Sequence, residues 1–504
     1  MSSIVVWQRY MFMLMVLFLP FTHFSISIPL VGETPYLLFL LMGYVLFAFE
    51  YIILEKPLNK WEKYGSTFLC ILIIWKAITG VIGVINYQYF EQINLTQMEN
   101  FKNLYDNVSL CFPLNEEFSI KGWLIYKEIR GAFLAVAYSY LISFWIYHIY
   151  KKNWNTAIQD LKKVTLILCS ILSLYSVFEV NYLIGGNIGK NILSNINPLY
   201  MKIADIHNWW PPLLWEGQLR SLFAEPSFFG IYTAMAIPIL LSFYLDNRFT
   251  YKSLIGRLMY IVIVTMLVLS KARTATVLFC IEIFMLAVWI CFFKKHHWKR
   301  LVLIGVCTCM ALSIGLGCMT HFKLQKNQYS NNNISVESYV SQNITSVVGN
   351  KRSNSARFAN VHATIDIGLQ NSVFGVGHDL KDIYLDKNLQ DSDRLVPEVA
   401  NWSRMMYEKG PLKSSYPTLN QLAGVFAEEG LFGLLLFMVP ILGSIITVIK
   451  YRKIFFDTDG ICLIISFIGL CCAFFSNIAT VEFYVAMGFI ILLVEHYKGI
   501  GNEK

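Results

Sequence analysis

The chain has 504 residues, of which 56% are hydrophobic and only 15% are charged, and its formal net charge is +8. A soluble protein of this length carries about a quarter charged residues, so the composition excludes an ordinary soluble globular protein. The Lys and Arg residues stand in short clusters between apolar runs, where membrane orientation puts them, and we therefore expect no nucleic-acid partner.

Apolar runs of about 18 to 22 residues recur along the chain, which is the length that a helix needs to cross a hydrocarbon layer about 30 Å thick. They predict about twelve membrane-spanning helices, and therefore an all-α, polytopic integral membrane protein. The predicted spans are residues 10–28, 35–54, 65–86, 130–150, 164–184, 223–245, 255–270, 273–293, 301–319, 430–449, 461–477 and 480–496.

Clusters of Lys and Arg occupy alternate loops between the predicted spans, and this alternation predicts the orientation of the chain. With twelve spans all five clusters fall on one side, which the positive-inside rule assigns to the cytoplasm together with both termini. The clusters are Lys56, Lys60 and Lys63; Lys151, Lys152, Lys162 and Lys163; Arg248, Lys252 and Arg257; Lys294, Lys295, Lys299 and Arg300; and Lys450, Arg452 and Lys453.

The opposite, outer side receives the longer polar segments. Residues 1–319 hold nine predicted spans and two smaller outer loops, and residues 320–429 form a large periplasmic or extracellular loop between the ninth and tenth spans. Residues 430–504 hold the last three spans and a short cytoplasmic tail. The chain is therefore expected to place its largest soluble segment outside the cytoplasm.

An amphipathic helix is expected inside this large loop. Five residues, most of them apolar, have the spacing of one helical face, whereas Arg357, Asn360 and Thr364 lie on another face. The five are Phe358, Val361, His362, Ile365 and Leu369. This pattern predicts a helix that packs on the membrane domain and not a flexible tether.

Orientation explains the cytoplasmic cations, so those on the outer side need another reason. Arg220 precedes the sixth span, Lys271 and Arg273 lie in the turn before the eighth, and Arg357 lies in the large loop. Several arginines at one membrane level suit a phosphate-bearing ligand, because the planar guanidinium can bind phosphate oxygens bidentately. The alternative for each of them is contact with lipid headgroups or with a nearby acid.

Three ionisable side chains lie inside predicted spans, where an isolated charge is costly and is usually paired or functional. They are Lys76, Glu179 and Glu282. A pair between Lys76 and either Glu282 or Glu179 that holds helices together is favoured over a proton relay. A fourth acid, Glu225, stands directly before Pro226 at the entrance of a span.

Four local patterns stand in the later part of the chain, namely Arg220 to Gly230 (RSLFAEPSFFG), Ser270 to Thr274 (SKART), Arg357 through Gly377 ending in FGVG, and Asn420 through Gly433 (NQLAGVFAEEGLFG). In their order and spacing, and together with the large outer loop, they resemble the O-antigen polymerase/O-antigen ligase superfamily of bacterial surface-polysaccharide assembly, and most closely its Wzy-type polymerases. The resemblance covers about residues 200–480.

The resemblance implies a membrane-embedded glycosyltransferase that polymerises oligosaccharide repeat units carried on undecaprenyl pyrophosphate into O-antigen or capsule. The reaction would take place on the outer face of the bacterial cytoplasmic (inner) membrane. Its partners would be the lipid-linked donor and acceptor and the lipid bilayer, with a chain-length regulator and a flippase as further candidates. We expect no cofactor and no metal, since no Asp-x-Asp or His-rich pattern offers a metal site.

Such a reaction implies a role for the outer cations. The leaving pyrophosphate gains negative charge in the transition state, so preplaced cations accelerate its departure. Arg220, Arg273 and Arg357 are expected to bind the pyrophosphate, with Lys271 in support.

The acceptor sugar hydroxyl is a poor nucleophile and needs a base. Glu225 is the first candidate for this role, ahead of His378 and Glu428. A structural pairing of Glu225 with Arg220 is an equal alternative.

Three other functions remain open on the sequence alone. In ligases of the superfamily a histidine thought to activate the acceptor precedes the asparagine that aligns with Asn420, and here Leu419 takes that place, which favours a polymerase. A flippase or secondary transporter commonly has two similar halves and short outer loops, unlike this chain. A non-catalytic scaffold of the assembly machinery is the third alternative.

Overall fold

In its described part, the computed structural model of the protein has helices joined by turns and loops and, apart from an isolated bridge between Ile28 and Gly32, no β-structure. This confirms the predicted all-α class. The structure describes residues 3–29, 31–110, 115–202, 217–246, 250–322, 352–414 and 416–502.

The helices are numbered here in chain order. Those before residue 322 are α1 (Ser3–Leu17), α2 (Tyr36–Ile52), α3 (Lys60–Ile85), α4 (Glu99–Ser109), α5 (Glu116–Ala137), α6 (Tyr140–Tyr150), α7 (Trp154–Leu183), α8 (Asn187–Tyr200), α9 (Pro226–Leu245), α10 (Tyr251–Ser270), α11 (Arg273–Phe293) and α12 (Trp298–Thr320). Those after residue 351 are α13 (Arg352–Gln370), α14 (Lys381–Asn388), α15 (Asp391–Arg394), α16 (Pro397–Lys409), α17 (Gln421–Lys450), α18 (Thr458–Ala473) and α19 (Val481–Asn502).

Within the described ranges, eight helical segments are long and apolar enough to cross a membrane, and three shorter apolar helices accompany them. The eight are α3, α5 continued by α6, α7, α9, α10, α11, α12 and α17, and the shorter ones lie in α1, α2 and α18. Each predicted span overlaps a helix, with α19 matching the last. The chain is therefore a multi-pass membrane protein.

The first predicted span is the one whose boundaries differ most from the structure. Residues 10–28 were expected to form one helix, but α1 ends at Leu17 and turns follow it. Pro20 explains the early end, because proline lacks a backbone N–H and disfavours helical geometry in the preceding residue.

Helix α9 is the centre of the bundle. Nearly all its side chains are buried, and it packs on α10, α11 and α18. A helix that is apolar around its whole circumference reaches its lowest free energy when it is surrounded by other helices. The start of α9, where Glu225 stands, is therefore held firmly.

The two ends of the bundle differ chemically. At one end, here called the basic end, the turns carry the described members of the Lys and Arg clusters, whereas Arg248 lies outside the described residues. Ion pairs join neighbouring helices there, such as Arg9 with Asp160 at 2.8 Å. At the other, here called the cap end, α4 and α13 to α16 fold together with the ends of α3 and α5. They enclose a second hydrophobic core, which includes Ile120, Ile367 and Ile383.

Helix α13 occupies the position of the amphipathic helix expected in the large loop, but its buried face is not the expected one. The small side chains of Ala356, Ala359 and Ala363 are buried in the cap core. Phe358 and Leu369, expected to pack inward, are 62% and 64% exposed. Small side chains permit a closer approach of neighbouring helices. The face of α13 that is buried in the cap is therefore the one with the smallest side chains and not the one with the largest apolar side chains.

Helix α17 is broken at Gly430, whose φ of 69° and ψ of −171° lie outside the helical region. The backbone groups freed by the break bond to residues 371–377. Leu431 N–H donates to the Ser372 carbonyl at 2.7 Å, and Val376 N–H donates to the Ala427 carbonyl at 2.9 Å. Because of the break, backbone hydrogen bonds join the segment after α13 to a membrane-spanning helix.

Replacing Gly430 by Ala is expected to lower the free energy of unfolding by about 1–3 kcal/mol, because only glycine adopts this backbone geometry readily. A Cβ atom would also lie 2.3 Å from the Val373 carbonyl oxygen. Gly443→Ala is the matched control, since a Cβ at that position of the same helix meets nothing within 4 Å. Thermal unfolding of both variants in detergent tests this, and equal midpoints would contradict it.

Candidate active site at the cap end

A cavity of about 690 Å³ opens between the cap and the bundle. Its walls come from α3, the α5–α6 junction, the start of α9, the start of α17 and the turn between α18 and α19. The acidic and basic side chains of its lining are Lys76, Glu225, Arg357, His378, Glu428 and Glu429.

Glu225 is positioned by the start of α9. Pro226 takes the first helical position, where its missing N–H costs nothing, and Glu225 precedes it in extended geometry. Its carboxylate accepts a hydrogen bond of 3.0 Å from the Ser227 hydroxyl. It forms no ion pair with any described residue, so this carboxylate can face the cavity with free oxygen lone pairs.

Arg357 extends from α13 towards the same cavity. Its guanidinium donates to the Ser476 carbonyl in the turn between α18 and α19, at 3.1 Å. Burial and the neighbouring Arg273 lower the pKa of Arg357, while Glu398 and Glu225 oppose that effect. The site thus brings a cation and a carboxylate that forms no ion pair among the described residues from two distant parts of the chain into one space.

Arg273 and Lys271 are not part of the cavity lining. Arg273 begins α11 and donates to the Asn354 side chain on α13 at 3.2 Å, one helical turn before Arg357. Lys271 has a left-handed backbone at φ 52°, and burial lowers the pKa of its ammonium. Arg273 therefore adjoins the cavity wall that Arg357 forms, and Lys271 stands two residues before Arg273.

Arg220 lies apart from the cavity. Its guanidinium donates to the Phe223 carbonyl at 2.8 Å, and its side chain is almost fully buried. The Glu179 carboxylate accepts the backbone N–H groups of Arg220 and Ser221 at 2.9 and 2.8 Å. The structure shows no pairing of Arg220 with Glu225, and Arg220 instead orders the segment that leads into α9.

The pairing expected for Lys76 was wrong. Lys76 forms its ion pair with Glu429 on α17. Glu179 binds the backbone before α9, and Glu282 lies fully buried without a hydrogen-bond partner in the described part of the chain. Hydropathy places a residue at a depth in the membrane, but the rotation of each helix about its axis decides which partner it meets.

His378, Glu428 and Lys381 form a charged cluster on one wall. His378 Nδ1 lies 2.8 Å from Glu428 Oε2, and Lys381 pairs with the other carboxylate oxygen. The charge of Glu428 raises the pKa of His378 to about 9. At neutral pH this imidazole is therefore protonated, and it acts as a cation in the cavity.

Two residues of this wall escaped the sequence analysis. Lys381 neutralises Glu428, and Glu128 on α5 accepts the backbone N–H groups of His378 and Asp379, each at 3.2 Å. Neither residue stands in a recognisable motif. For Glu128, its charge at two positions before the predicted fourth span was the one available indication.

Leu419 lines the cavity directly before Asn420, whose side chain caps α17 by accepting the Ala423 N–H at 3.0 Å. The position of the ligase histidine is therefore part of the cavity wall, and it is apolar here. Within the described residues no group of three or more His, Cys, Asp or Glu side chains could hold a metal ion. That the reaction needs no metal stays a prediction.

Comparison with known proteins adds one match. Residues 258–438 match the family model Wzy_C, described as O-Antigen ligase. No curated protein matches the chain. The matched region runs from α10 into α17 and includes Arg273, Arg357 and His378, whereas Glu225 lies before it. The match confirms the resemblance to the O-antigen polymerase/ligase superfamily and supports a role in polysaccharide assembly, without separating polymerases from ligases.

Proposed function

We propose that the chain is a polysaccharide polymerase that joins repeat units carried on undecaprenyl pyrophosphate at the outer face of the bacterial inner membrane. The observation that carries this proposal is the cavity that Arg357, Glu225 and His378 line together. The cavity lies at the cap end, opposite the Lys and Arg clusters, and the positive-inside rule assigns those clusters and both termini to the cytoplasm.

In the proposed reaction the acceptor hydroxyl oxygen forms a bond to the anomeric carbon of the donor sugar. The bond from that carbon to the pyrophosphate oxygen breaks, and its electron pair leaves with undecaprenyl pyrophosphate. Arg357 and the His378 imidazolium stabilise the charge that develops on the leaving group. Arg273 and Lys271 reinforce this positive potential from beside the cavity.

Arg220 has a different place in this proposal from the one predicted on sequence. Its guanidinium is bonded inside the protein, so we assign it the positioning of residues 221–225 through the Phe223 carbonyl. The position of the Glu225 carboxylate would then depend on Arg220, although the two side chains do not pair.

Glu225 is the base that the geometry favours. A base must hold a free lone pair at operating pH, and Glu428 is bonded to both Lys381 and His378. His378 already holds its proton at neutral pH, because its pKa is raised to about 9. Glu225 would take the hydroxyl proton as the glycosidic bond forms.

An O-antigen ligase is the second candidate, favoured by the description of the matched family. A ligase would transfer the finished glycan to lipid A core in place of a second lipid-linked unit. Leu419 favours polymerisation, because a leucine at this point of the wall cannot orient or accept a proton.

Reconstitution in nanodiscs separates these activities. We expect the purified protein, given synthetic lipid-linked repeat units alone, to produce a ladder of longer lipid-linked glycans on a gel. Product that forms only when lipid A core is added would identify a ligase. Unchanged substrate would contradict both enzyme functions, and a proteoliposome assay of substrate reorientation would then test for a flippase.

A further inference from the structure

Helix α13 runs across the ends of several membrane-spanning helices. Near its start, Asn354 accepts from Arg273 at the first residue of α11. Just beyond its end, the Ser372 carbonyl accepts from Leu431 in α17. At 1.5 Å per residue the 19 residues of α13 measure about 28 Å. A helix of this length that contacts the same end of separate spans lies roughly parallel to the membrane plane.

The depth of this plane follows from α17. Twenty residues separate Gly430 from Lys450, which corresponds to about 30 Å of helix. This equals the thickness of the hydrocarbon layer, and Lys450 begins one of the basic clusters. Gly430 therefore lies near the opposite boundary of the hydrocarbon, as do residues 371–377, which are bonded to α17 beside it.

The two faces of α13 have opposite surroundings. Ala359, Ala363 and Ile367 are buried in the cap core, with 4%, 1% and 0% of their surface exposed. Half a turn round the helix, Phe358 and Leu369 are more than 60% exposed, and Ile365 between them is 40% exposed. Because the cap core covers the first face, the second face points away from the cap core.

This exposed face joins the lipid-facing surface of the spans. Val373, just after α13, is 62% exposed, and the next residue, Phe374, stacks on Trp75 of α3 with 5.7 Å between ring centroids. Trp75 in turn contacts Phe432 of α17 at 4.5 Å, beside the exposed side chain of Leu431. A contiguous apolar patch on a water-facing surface is uncommon, so its continuity with the spans indicates a lipid surface.

We infer that α13 is an interfacial helix whose apolar stripe is buried among the acyl chains of the bilayer leaflet at the cap end. The stripe consists of Phe358, Ile365 and Leu369, continued by Val373. An apolar stripe bordered by polar side chains allows a helix to lie in a membrane interface in this way, and the cap covers the opposite face of α13. The ion pair of His362 with Asp366, at 3.2 Å, marks the polar edge of the helix.

The placement has a consequence for Arg357, which precedes Phe358 on the same helix. An interfacial α13 holds this guanidinium at the level of the lipid headgroups, where the phosphate of any lipid-linked molecule lies. The embedding of α13 rests on the exposed stripe and its neighbours alone, and it stands whether or not the chain is a polymerase.

Photo-crosslinking tests the inference on the full chain. Phe358, Ile365 and Leu369 are replaced one at a time by p-benzoylphenylalanine, and the protein is placed in nanodiscs of phosphatidylethanolamine and phosphatidylglycerol. After illumination, mass spectrometry of the purified protein detects lipid adducts. Val439, 54% exposed on α17, is the lipid-facing reference, and Leu395, 83% exposed on the cap, is the matched apolar control.

We expect lipid adducts at the three stripe positions with yields similar to position 439, and background yield at position 395. Stripe positions that behave like position 395 would overturn the inference. Cross-links from the stripe to residues 323–351 of the same chain, or to a second copy, would overturn it as well, because another protein segment would then cover this face.

Discussion

Replacing Arg357 by Ala is expected to reduce polymer formation by about 10²–10³-fold, the usual cost of removing one preorganised group that stabilises transition-state charge. Lipid-linked single units should accumulate in its place. The physical reason is that Arg357 supplies a cation to the cavity that Glu225 also lines, where its guanidinium is bonded to the Ser476 carbonyl. The ladder assay in nanodiscs measures the effect directly.

Two further variants separate the chemistry of Arg357 from its packing. Arg357→Lys retains the charge but loses the planar fork, so we expect an intermediate rate. Arg404→Ala removes an exposed arginine of α16, where it lies 3.9 Å from Glu408, and should leave the rate unchanged. Wild-type polymer from Arg357→Ala, in protein with an unaltered unfolding temperature, would contradict the proposed leaving-group site.

Glu225→Gln is expected to lower turnover by about 10²–10⁴-fold, the range attributed to a positioned general base. Glutamine keeps the size of the side chain and can still contact Ser227, but it cannot accept the hydroxyl proton. The measurement is the initial rate of polymer formation with donor and acceptor units at saturating concentration. Binding of the lipid-linked donor should change little.

Glu408→Gln is the matched control for this substitution, because it makes the same change on the exposed surface of α16. Retained activity in Glu225→Gln together with a loss in Glu428→Gln would transfer the base role to the cluster on α17. Equal loss in all three variants would indicate a general effect of charge and would rule out a specific role for Glu225.

The candidate site shows which of the residues singled out on the sequence meet in one cavity. Glu225 was noted because it precedes Pro226 at a span entrance, His378 was named as a further candidate base, and Arg357 was singled out because a cation on the outer side needs a reason. All three line one cavity. Arg220 was singled out by the same argument as Arg357 but is buried beside Glu179. A motif places an arginine at a boundary, but only the path of the following turn decides whether it points into the cavity.

Sequence by itself determined the helical class, the succession of membrane-spanning segments and the side on which the basic turns gather. These features depend on local runs of apolar residues and on charge, because a helix satisfies its own backbone hydrogen bonds wherever it crosses lipid. Tertiary structure alone decided that Lys76 pairs with Glu429 and that α13 buries its alanines and exposes Phe358. Which side chains pair and which face of a helix is buried depend on the rotation and spacing of the packed helices. Contacts between side chains from distant parts of the chain determine both.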